Sequence, residues 1–265
     1  MALEDRPTVN AVPFSEGALI NLGDSNGAAG LVAAYAANAG ATIISVDATA
    51  YTERTTAAQL EVVSSSANDD GAPAGTGART VRIVYYDGNF NGPFVTDVIM
   101  NGVTAVSTTA TDIRFVECMH CLTVGSTGSN VGTITLRAVG AGAVVGTIAA
   151  TDGRTYWGHH YVATGRVCQV TELTAGMSHS KGTVFLRAID ISVTDAFERQ
   201  ITAQYRLGPA ATGAAANPAP FAPSLTFPFG SLYVRGPARV RAYVDADAAV
   251  ANNVAFVSFG YVDVG

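Results

Sequence analysis

From about residue 58 onward, apolar and polar residues alternate in short runs, the period of strands that bury one face. Clusters of Gly, Asp, Asn and Pro separate these runs and are typical of turns, as in "ANDDGAPAGTGA" (67–78) and "DGNFNG". The main runs are "QLEVVSSS", "RTVRIVYYD" (79–87), "FVTDVIMNG" (94–102), "TDIRFVECMHCLTVG" (111–125), "TITLRAV" (133–139), "RVCQVTELTAG" (166–176), "TVFLRAIDIS" (183–192), "RQITAQYRL" (199–207), "SLYVRG", "ARVRAYVDA" and "NVAFVSFGYVDV".

Roughly ten strands at regular spacing predict an all-β fold, an antiparallel β-sandwich of the jelly-roll type, over residues 58–265. Residues 1–57 give mixed signals, and we expect them to form a separate attachment segment. Within them, "GAAGLVAAYAANAG" (27–40) fits either a short helix or a buried strand pair. The Pro- and Ala-rich stretch 208–224 predicts a loop that crosses an edge or reaches a neighbouring chain.

Composition points to a chain that is covered by partners. Only 14% of the residues are charged, so we expect much of the surface to contact other subunits. The net charge of −6 and the absence of a basic run argue against nucleic-acid binding. No apolar stretch approaches a membrane span, and the N-terminal residues predict no signal peptide. Three cysteines without framework spacing predict free thiols in a protein made in a reducing cytoplasm.

The stretch "ECMHC" (117–121) is the first candidate for chemistry. On a strand, Cys118 and His120 share one face while Cys121 lies on the other, so the three cannot converge on one ion. We therefore predict strand packing, with one cysteine facing the core and the other facing the opposite side. In "WGHHY", His159 and His160 should likewise face opposite ways. The pattern predicts no metal site and no cofactor.

Other carboxylates allow weaker alternatives. An oxygen-ligand calcium site and a turn-forming role fit one set of aspartates equally well. A glycosidase pair could be drawn from a second set, but these residues lie on different predicted strands with no linking motif. No nucleophile elbow or phosphate-binding loop is present, so we expect no enzyme activity. The first set is Asp69, Asp70, Asp87, Asp245 and Asp247, and the second is Glu61, Glu117, Glu172 and Asp190.

Aromatic residues are predicted to serve the core and subunit interfaces rather than a sugar-binding platform. The segment "FPFG" emerges from the Pro-rich loop and is the preferred contact with a neighbouring subunit. The candidate interface residues are Phe221, Phe227, Phe229, Tyr156 and Trp157.

Several stretches together resemble a family of tailed-bacteriophage virion structural proteins. They are "VVSSSANDDGAPAGTGARTVRIVYYDGNFNGPFVTDVIMNGVTAV", "VGSTGSNVGTITLRA", "GRTYWGHHYVATGRVCQVTELTAG" and the closing "LYVRGPARVRAYVDADAAVANNVAFVSFGYVDV". The resemblance covers roughly residues 58–265. Two departures are Arg154, where the family usually has Gln, and "VATG" in place of "VPAG".

The resemblance implies a non-enzymatic β-sandwich component of a virion, made in the cytoplasm of the bacterial host. We expect a capsid decoration (cement) protein that forms a homo-oligomer, a trimer by preference, and contacts the major capsid protein. The alternative is a tail- or head-fibre-associated structural protein that contacts tail proteins and binds a receptor or glycan. The sequence leaves the position on the particle, the host and the symmetry open.

Overall fold

The computed structural model describes residues 30–35, 42–43, 51–177, 182–190, 198–207, 224–226, 233–246 and 253–264. These residues are all-β, and no helix occurs among them. None of the described segments could therefore cross a membrane as a helix.

Most strands occupy positions that the alternating pattern predicts, within a few residues, whereas three short strands, at 42–43, 106–107 and 224–226, were not predicted. Within the stretch 27–40, the structure shows a single strand over Gly30–Tyr35, rather than a helix, in the part that it describes. The strands are β1 (Gly30–Tyr35), β2 (Thr42–Ile43), β3 (Leu60–Ser64), β4 (Ala78–Tyr86), β5 (Phe94–Ile99), β6 (Val106–Ser107), β7 (Phe115–Val124), β8 (Ile134–Ala138), β9 (Val144–Ile148), β10 (His159–Val162), β11 (Val167–Met177), β12 (Gly182–Asp190), β13 (Glu198–Leu207), β14 (Ser224–Thr226), β15 (Tyr233–Arg235), β16 (Ala238–Ala246) and β17 (Asn253–Val264).

These strands form four sheets in which every pairing is antiparallel. The first half of the chain gives a three-stranded sheet, β5-β4-β7, and a four-stranded sheet, β6-β3-β8-β9. The second half gives two five-stranded sheets. One has the order β1-β17-β11-β14, with β15 also on β11, and the other has the order β10-β16-β12-β13, with β2 also on β16. The N-terminal strands β1 and β2 therefore pair with strands from the far end of the chain. The division at residue 57 and the jelly-roll topology stay predictions.

The three- and four-stranded sheets share one apolar core, which is the arrangement of a β-sandwich. Alternate residues of most strand segments point into it, and irregularities in the β4–β7 register shift this pattern locally. Fully burying one such aliphatic side chain stabilises the fold by roughly 1.5–3 kcal/mol. The core consists of Leu60, Val62, Ala78, Val81, Ile83, Tyr85, Val98, Met100, Ile113, Val116, Met119, Ile134, Leu136, Val145, Ile148 and Trp157.

Buried Asp69 fastens the loop that follows β3 to two other parts of the sandwich. Its carboxylate accepts hydrogen bonds from Ser64 Oγ at 2.6 Å and from the backbone N–H groups of Ala78, Val131 and Gly132 at 2.8 Å each. Hydrogen bonds to a carboxylate are roughly twice as strong as those between neutral groups. The carboxylate of Asp69 is therefore a structural acceptor that holds three segments of the sandwich together.

Trp157, the only tryptophan of the chain, is 1% exposed, and Gly146 of β9 makes room for its indole. A Cβ atom at position 146 would overlap the six-membered ring of Trp157. Because protein cores are packed as densely as organic crystals, the indole has little space to retreat into. A glycine is thus required at this strand position for packing, although glycine in general weakens a strand.

We expect Gly146→Ala to lower the free energy of unfolding by about 1–3 kcal/mol, since it overpacks the core against Trp157. Chemical denaturation followed by tryptophan fluorescence measures this change. Gly88→Ala is the matched control, because Gly88 is exposed and its added Cβ would meet only the side chain of Ala57. Equal stability of the two variants would contradict the packing role of Gly146.

Candidate functional site

The two cysteines of "ECMHC" lie on β7 and face opposite sides of the sheet, as predicted. Cys118 pairs with Val84 and Cys121 pairs with Val81, and the strand has no irregularity between these two pairs. Because the cysteines are an odd number of positions apart on a regular strand, their side chains lie on opposite faces of the sheet. Cys121 packs against the sandwich core, whereas Cys118 is fully buried outside that core cluster. Among the described residues these two cysteines form no metal-binding group with His120.

Neither thiol is activated. Burial raises the pKa of Cys118 well above its ordinary value and raises the pKa of Cys121 to about 12. A reactive cysteine requires the thiolate, which neither residue forms near neutral pH. The packing interpretation of this stretch therefore holds for both cysteines.

A β-bulge at Glu117 gives the same strand a second role. Val84 lies opposite Cys118, but the next residue of β4, Tyr85, lies opposite Val116. Glu117 is the extra residue, and a bulge of this kind re-aims a side chain away from the regular ladder. It also explains why Val116 and Met119, three positions apart, both enter the core.

The carboxylate of Glu117 binds strand β10, which belongs to one of the five-stranded sheets. Its Oε1 lies 2.9 Å from Nδ1 of His160, and its Oε2 accepts the backbone N–H of Tyr161 at 3.0 Å. Glu117 is 1% exposed and His160 is 2% exposed. This contact therefore joins the sandwich to the second half of the chain through a buried, charge-assisted pair.

The other side of the His160 ring meets the second five-stranded sheet. Nε2 of His160 lies 3.2 Å from Oδ1 of Asp263, and the ring stacks on Tyr261 with centroids 3.7 Å apart. Cys168 lies directly opposite Asp263 in the register of β11 and β17, so their side chains share a face. One ligand atom from each of His160, Cys168 and Asp263 lies within 4.8 Å of the others. We call these three residues and Glu117 the junction cluster.

His159 faces away from the junction cluster, which confirms that the two adjacent histidines point in opposite directions. Its Nε2 lies 3.0 Å from the carbonyl oxygen of Val116, and its ring stacks on Trp157. Tyr51 packs on the same imidazole, with ring centroids 4.6 Å apart. His159 is therefore a core residue that has its hydrogen bond satisfied.

The charges around His160 determine its protonation. Burial alone lowers the pKa of this imidazole, but the nearby carboxylates of Glu117 and Asp263 outweigh burial and raise the pKa well above its ordinary value. Burial raises the pKa of the Cys168 thiol, although the contact with His160 opposes that rise. The cluster thus pairs an imidazolium with two carboxylates beside a neutral thiol.

The combination of Cys168, His160 and Glu117 has the residue types of a thiol nucleophile, its base and an orienting acid. Cys168 is 0% exposed, however, and its thiol stays protonated at neutral pH. A nucleophile must reach its substrate as a thiolate. The geometry therefore favours a role in joining the sheets through hydrogen bonds, or in binding a ligand, over nucleophilic catalysis.

The remaining carboxylate candidates whose side chains the structure describes accept hydrogen bonds from other groups of the chain. Glu61 accepts hydrogen bonds from the backbone N–H groups of Ala141 and Gly140 and from Arg137, and these contacts lower its pKa. Asp87 accepts three hydrogen bonds within its own turn, from Asn89 and Asn91. Asp70 caps a turn through the N–H of Ala72. Glu172, Asp190, Asp245 and Asp247 lie outside the residues whose side chains are described.

The structure describes two of the five candidate interface residues, Trp157 and Tyr156. Trp157 lies in the sandwich core and retains almost no surface for a neighbouring subunit. Tyr156 is half-buried, and the Arg154 guanidinium lies over its ring. Phe221, Phe227 and Phe229 lie outside the described residues, so their interface role stays a prediction.

Sequence reasoning found two members of the junction cluster, Glu117 and His160, but assigned neither to it. It did not single out Cys168 or Asp263. His160 and Asp263 are 103 residues apart in the chain, so no local motif can join them. Only the register of β11 against β17 brings Cys168 and Asp263 together.

No protein-family profile, curated protein or solved structure matches the chain.

We expect Glu117→Ala to lower the free energy of unfolding by about 3–5 kcal/mol, because it leaves the buried His160 without its charged partner. Asp97→Ala is the matched control, since Asp97 forms an ion pair with Arg82 but is 40% exposed. Loss of an exposed pair costs about 0.2–1 kcal/mol. Urea denaturation of both variants measures the difference, and a similar small loss in each would show that Glu117 does not fasten the two halves.

Proposed function

We propose that the chain is a non-enzymatic structural protein of a tailed-phage virion, a decoration protein that stabilises the assembled shell. One observation of this structure carries the proposal. Strand β5 lies at the edge of the three-stranded sheet and exposes large apolar side chains to solvent. Exposed apolar residues next to an edge strand are typical of a surface that another protein covers.

This β5 surface is defined by two residues of the strand, and two other exposed apolar residues flank them. Val95 and Ile99 lie on the face directed away from the sandwich core, 57% and 62% exposed. Val103 in the following turn is 61% exposed, and Phe94 at the start of the strand is 42% exposed. Between Val95 and Ile99, Asp97 pairs with Arg82 at 2.8 Å and supplies a polar element to the same face.

Two further features support a structural role. The described part of the chain is all-β and built from antiparallel sheets, as the expected virion component would be. The two carboxylates considered for catalysis whose side chains are described, Glu61 and Glu117, both form hydrogen bonds within the chain. The resemblance of residues 58–265 to virion structural proteins is the reason for proposing that this assembly is a virion.

The shell would be stabilised by the sum of many contacts between the decoration protein and the shell subunits. A decoration protein that contacts shell subunits only after assembly stabilises that state by mass action. Each contact of standard size buries roughly 1,600 Å² of surface, and the gain repeats over the whole shell. A trimer would bind the threefold junctions of such a shell with three copies of the β5 surface at once.

The copy number per virion tests the proposed function. Quantitative gel staining of purified particles is expected to give a number proportional to the shell subunits. A low copy number that matches the symmetry of the tail would overturn the decoration role and favour a tail- or fibre-associated protein. Particles without the protein are expected to lose resistance to heat and osmotic shock.

The β5 surface is tested separately. We expect the double variant Val95→Lys and Ile99→Lys to fold normally but to lose binding to shells prepared without the protein, because two charges would be buried at the contact. Co-sedimentation with such shells measures this binding. Val139→Lys is the matched control, since Val139 is 50% exposed outside the β5 surface. Equal binding of both variants would exclude the β5 surface as the contact.

A further inference from the structure

We propose that His160, Cys168 and Asp263 form a binding site for a transition-metal ion of the zinc class, with Glu117 as the residue that orients the histidine. The inference does not depend on the proposed function. It follows from where three strands place one nitrogen, one sulfur and one oxygen ligand. These strands are β10, β11 and β17.

The distances fit a small tetrahedral ion. Metal–ligand bonds of about 2.0–2.3 Å place tetrahedral ligand atoms roughly 3.3–3.6 Å from one another. Nε2 of His160 lies 3.2 Å from Oδ1 of Asp263, which is close to that edge length. The Cys168 sulfur belongs to the same group, in which the ligand atoms all lie within 4.8 Å. An adjustment of about an ångström in side-chain position would bring all three into a first coordination shell.

The set of ligands selects the class of metal. A thiolate and an imidazole favour zinc and neighbouring transition metals over calcium and magnesium, which prefer oxygen ligands. Three protein ligands leave a fourth position for water or another ligand. On binding, the Cys168 thiol and Nε2 of His160 each release a proton to solvent, so that sulfur and nitrogen donate their lone pairs to the metal.

Glu117 completes the arrangement from the sandwich side. A histidine that ligates a metal through one nitrogen usually donates the N–H of the other to a carboxylate or carbonyl group. Nδ1 of His160 lies 2.9 Å from Oε1 of Glu117, so Nε2 is the nitrogen directed to Asp263 and available for the metal. The second oxygen of Glu117 is held by the backbone N–H of Tyr161, which fixes the carboxylate.

The surroundings of the site allow an ion to enter and keep it there. His160 and Cys168 are almost completely buried, while the Asp263 side chain is 27% exposed and gives the ion a route from solvent. The Tyr261 ring stacks on the imidazole and prevents it from turning away. Because Cys168 and Asp263 are direct cross-strand neighbours, the two ligands on that sheet need no long-range adjustment.

Metal titration of the full chain tests the proposal. Purified protein is reduced, stripped with a chelator and titrated with Co²⁺, whose absorption reports thiolate ligation, and Zn²⁺ is then added as competitor. We expect one equivalent of Co²⁺ per chain, a sulfur-to-metal charge-transfer band, and displacement by Zn²⁺. We also expect Zn²⁺ to raise the melting temperature of the protein, since it binds the folded state.

Variants assign the ligands. Cys168→Ser is expected to abolish the charge-transfer band, and Asp263→Asn to weaken Co²⁺ binding at least tenfold. Glu117→Gln is expected to weaken binding by about 10–100-fold, the usual effect of losing an orienting partner. Cys121→Ser is the matched control and should leave binding unchanged, because Cys121 packs against the sandwich core instead.

Two results would overturn the proposal. The first is folded wild-type protein, verified by circular dichroism, that shows no saturable binding of Co²⁺ or Zn²⁺. In that case the junction cluster is a metal-free hydrogen-bonded network. The second is a charge-transfer band that persists in Cys168→Ser but disappears in Cys121→Ser. Asp263 is partly exposed, so Asp263→Asn tests the site even where Cys168→Ser fails to fold.

Discussion

The buried carboxylate of Glu117 joins the two halves of the chain at the point where three sheets meet. Its two oxygens bind the His160 ring and the Tyr161 N–H, both on strand β10. The far side of the same ring contacts Asp263 and Tyr261 on β17. Three sheets therefore meet at a single imidazole, whereas each sheet is held internally by its own ladder of backbone hydrogen bonds.

Such a contact provides specificity at a cost. Taking charged groups out of water opposes folding by several kcal/mol per ion, and only good geometry recovers that loss. Apolar packing alone would allow one sheet to rotate slightly on another. The two hydrogen bonds of the Glu117 carboxylate restrict such rotations, because they are lost when the sheets move. The aromatic cluster beside it, in which Phe115 and Tyr161 stack with centroids 4.6 Å apart, supplies the dry surroundings that make the pair strong.

The strands were predictable from sequence because their signal is local. Alternation identified β3, β4, β7 and β8 closely, and the opposite facing of Cys118 and Cys121 followed from the same period. The bulge at Glu117 breaks that period without any glycine or proline to indicate it. The meeting of Cys168 with Asp263 depends on the register of two strands distant in sequence, which no single segment encodes. Trp157 looked like an interface residue because large aromatics serve cores and interfaces equally well.

The sequence separations within the junction cluster have a consequence for folding kinetics. His160 is 43 residues from Glu117 and 103 residues from Asp263, so the cluster forms only after two long loops have closed. Contacts of this kind are slow to form, since the entropy of closure is lost before any stabilisation is gained. The sandwich core, which draws on nearer segments, can form first. A nascent chain would thus carry a completed sandwich in which the far side of the His160 ring stays uncovered until the last strand is in place.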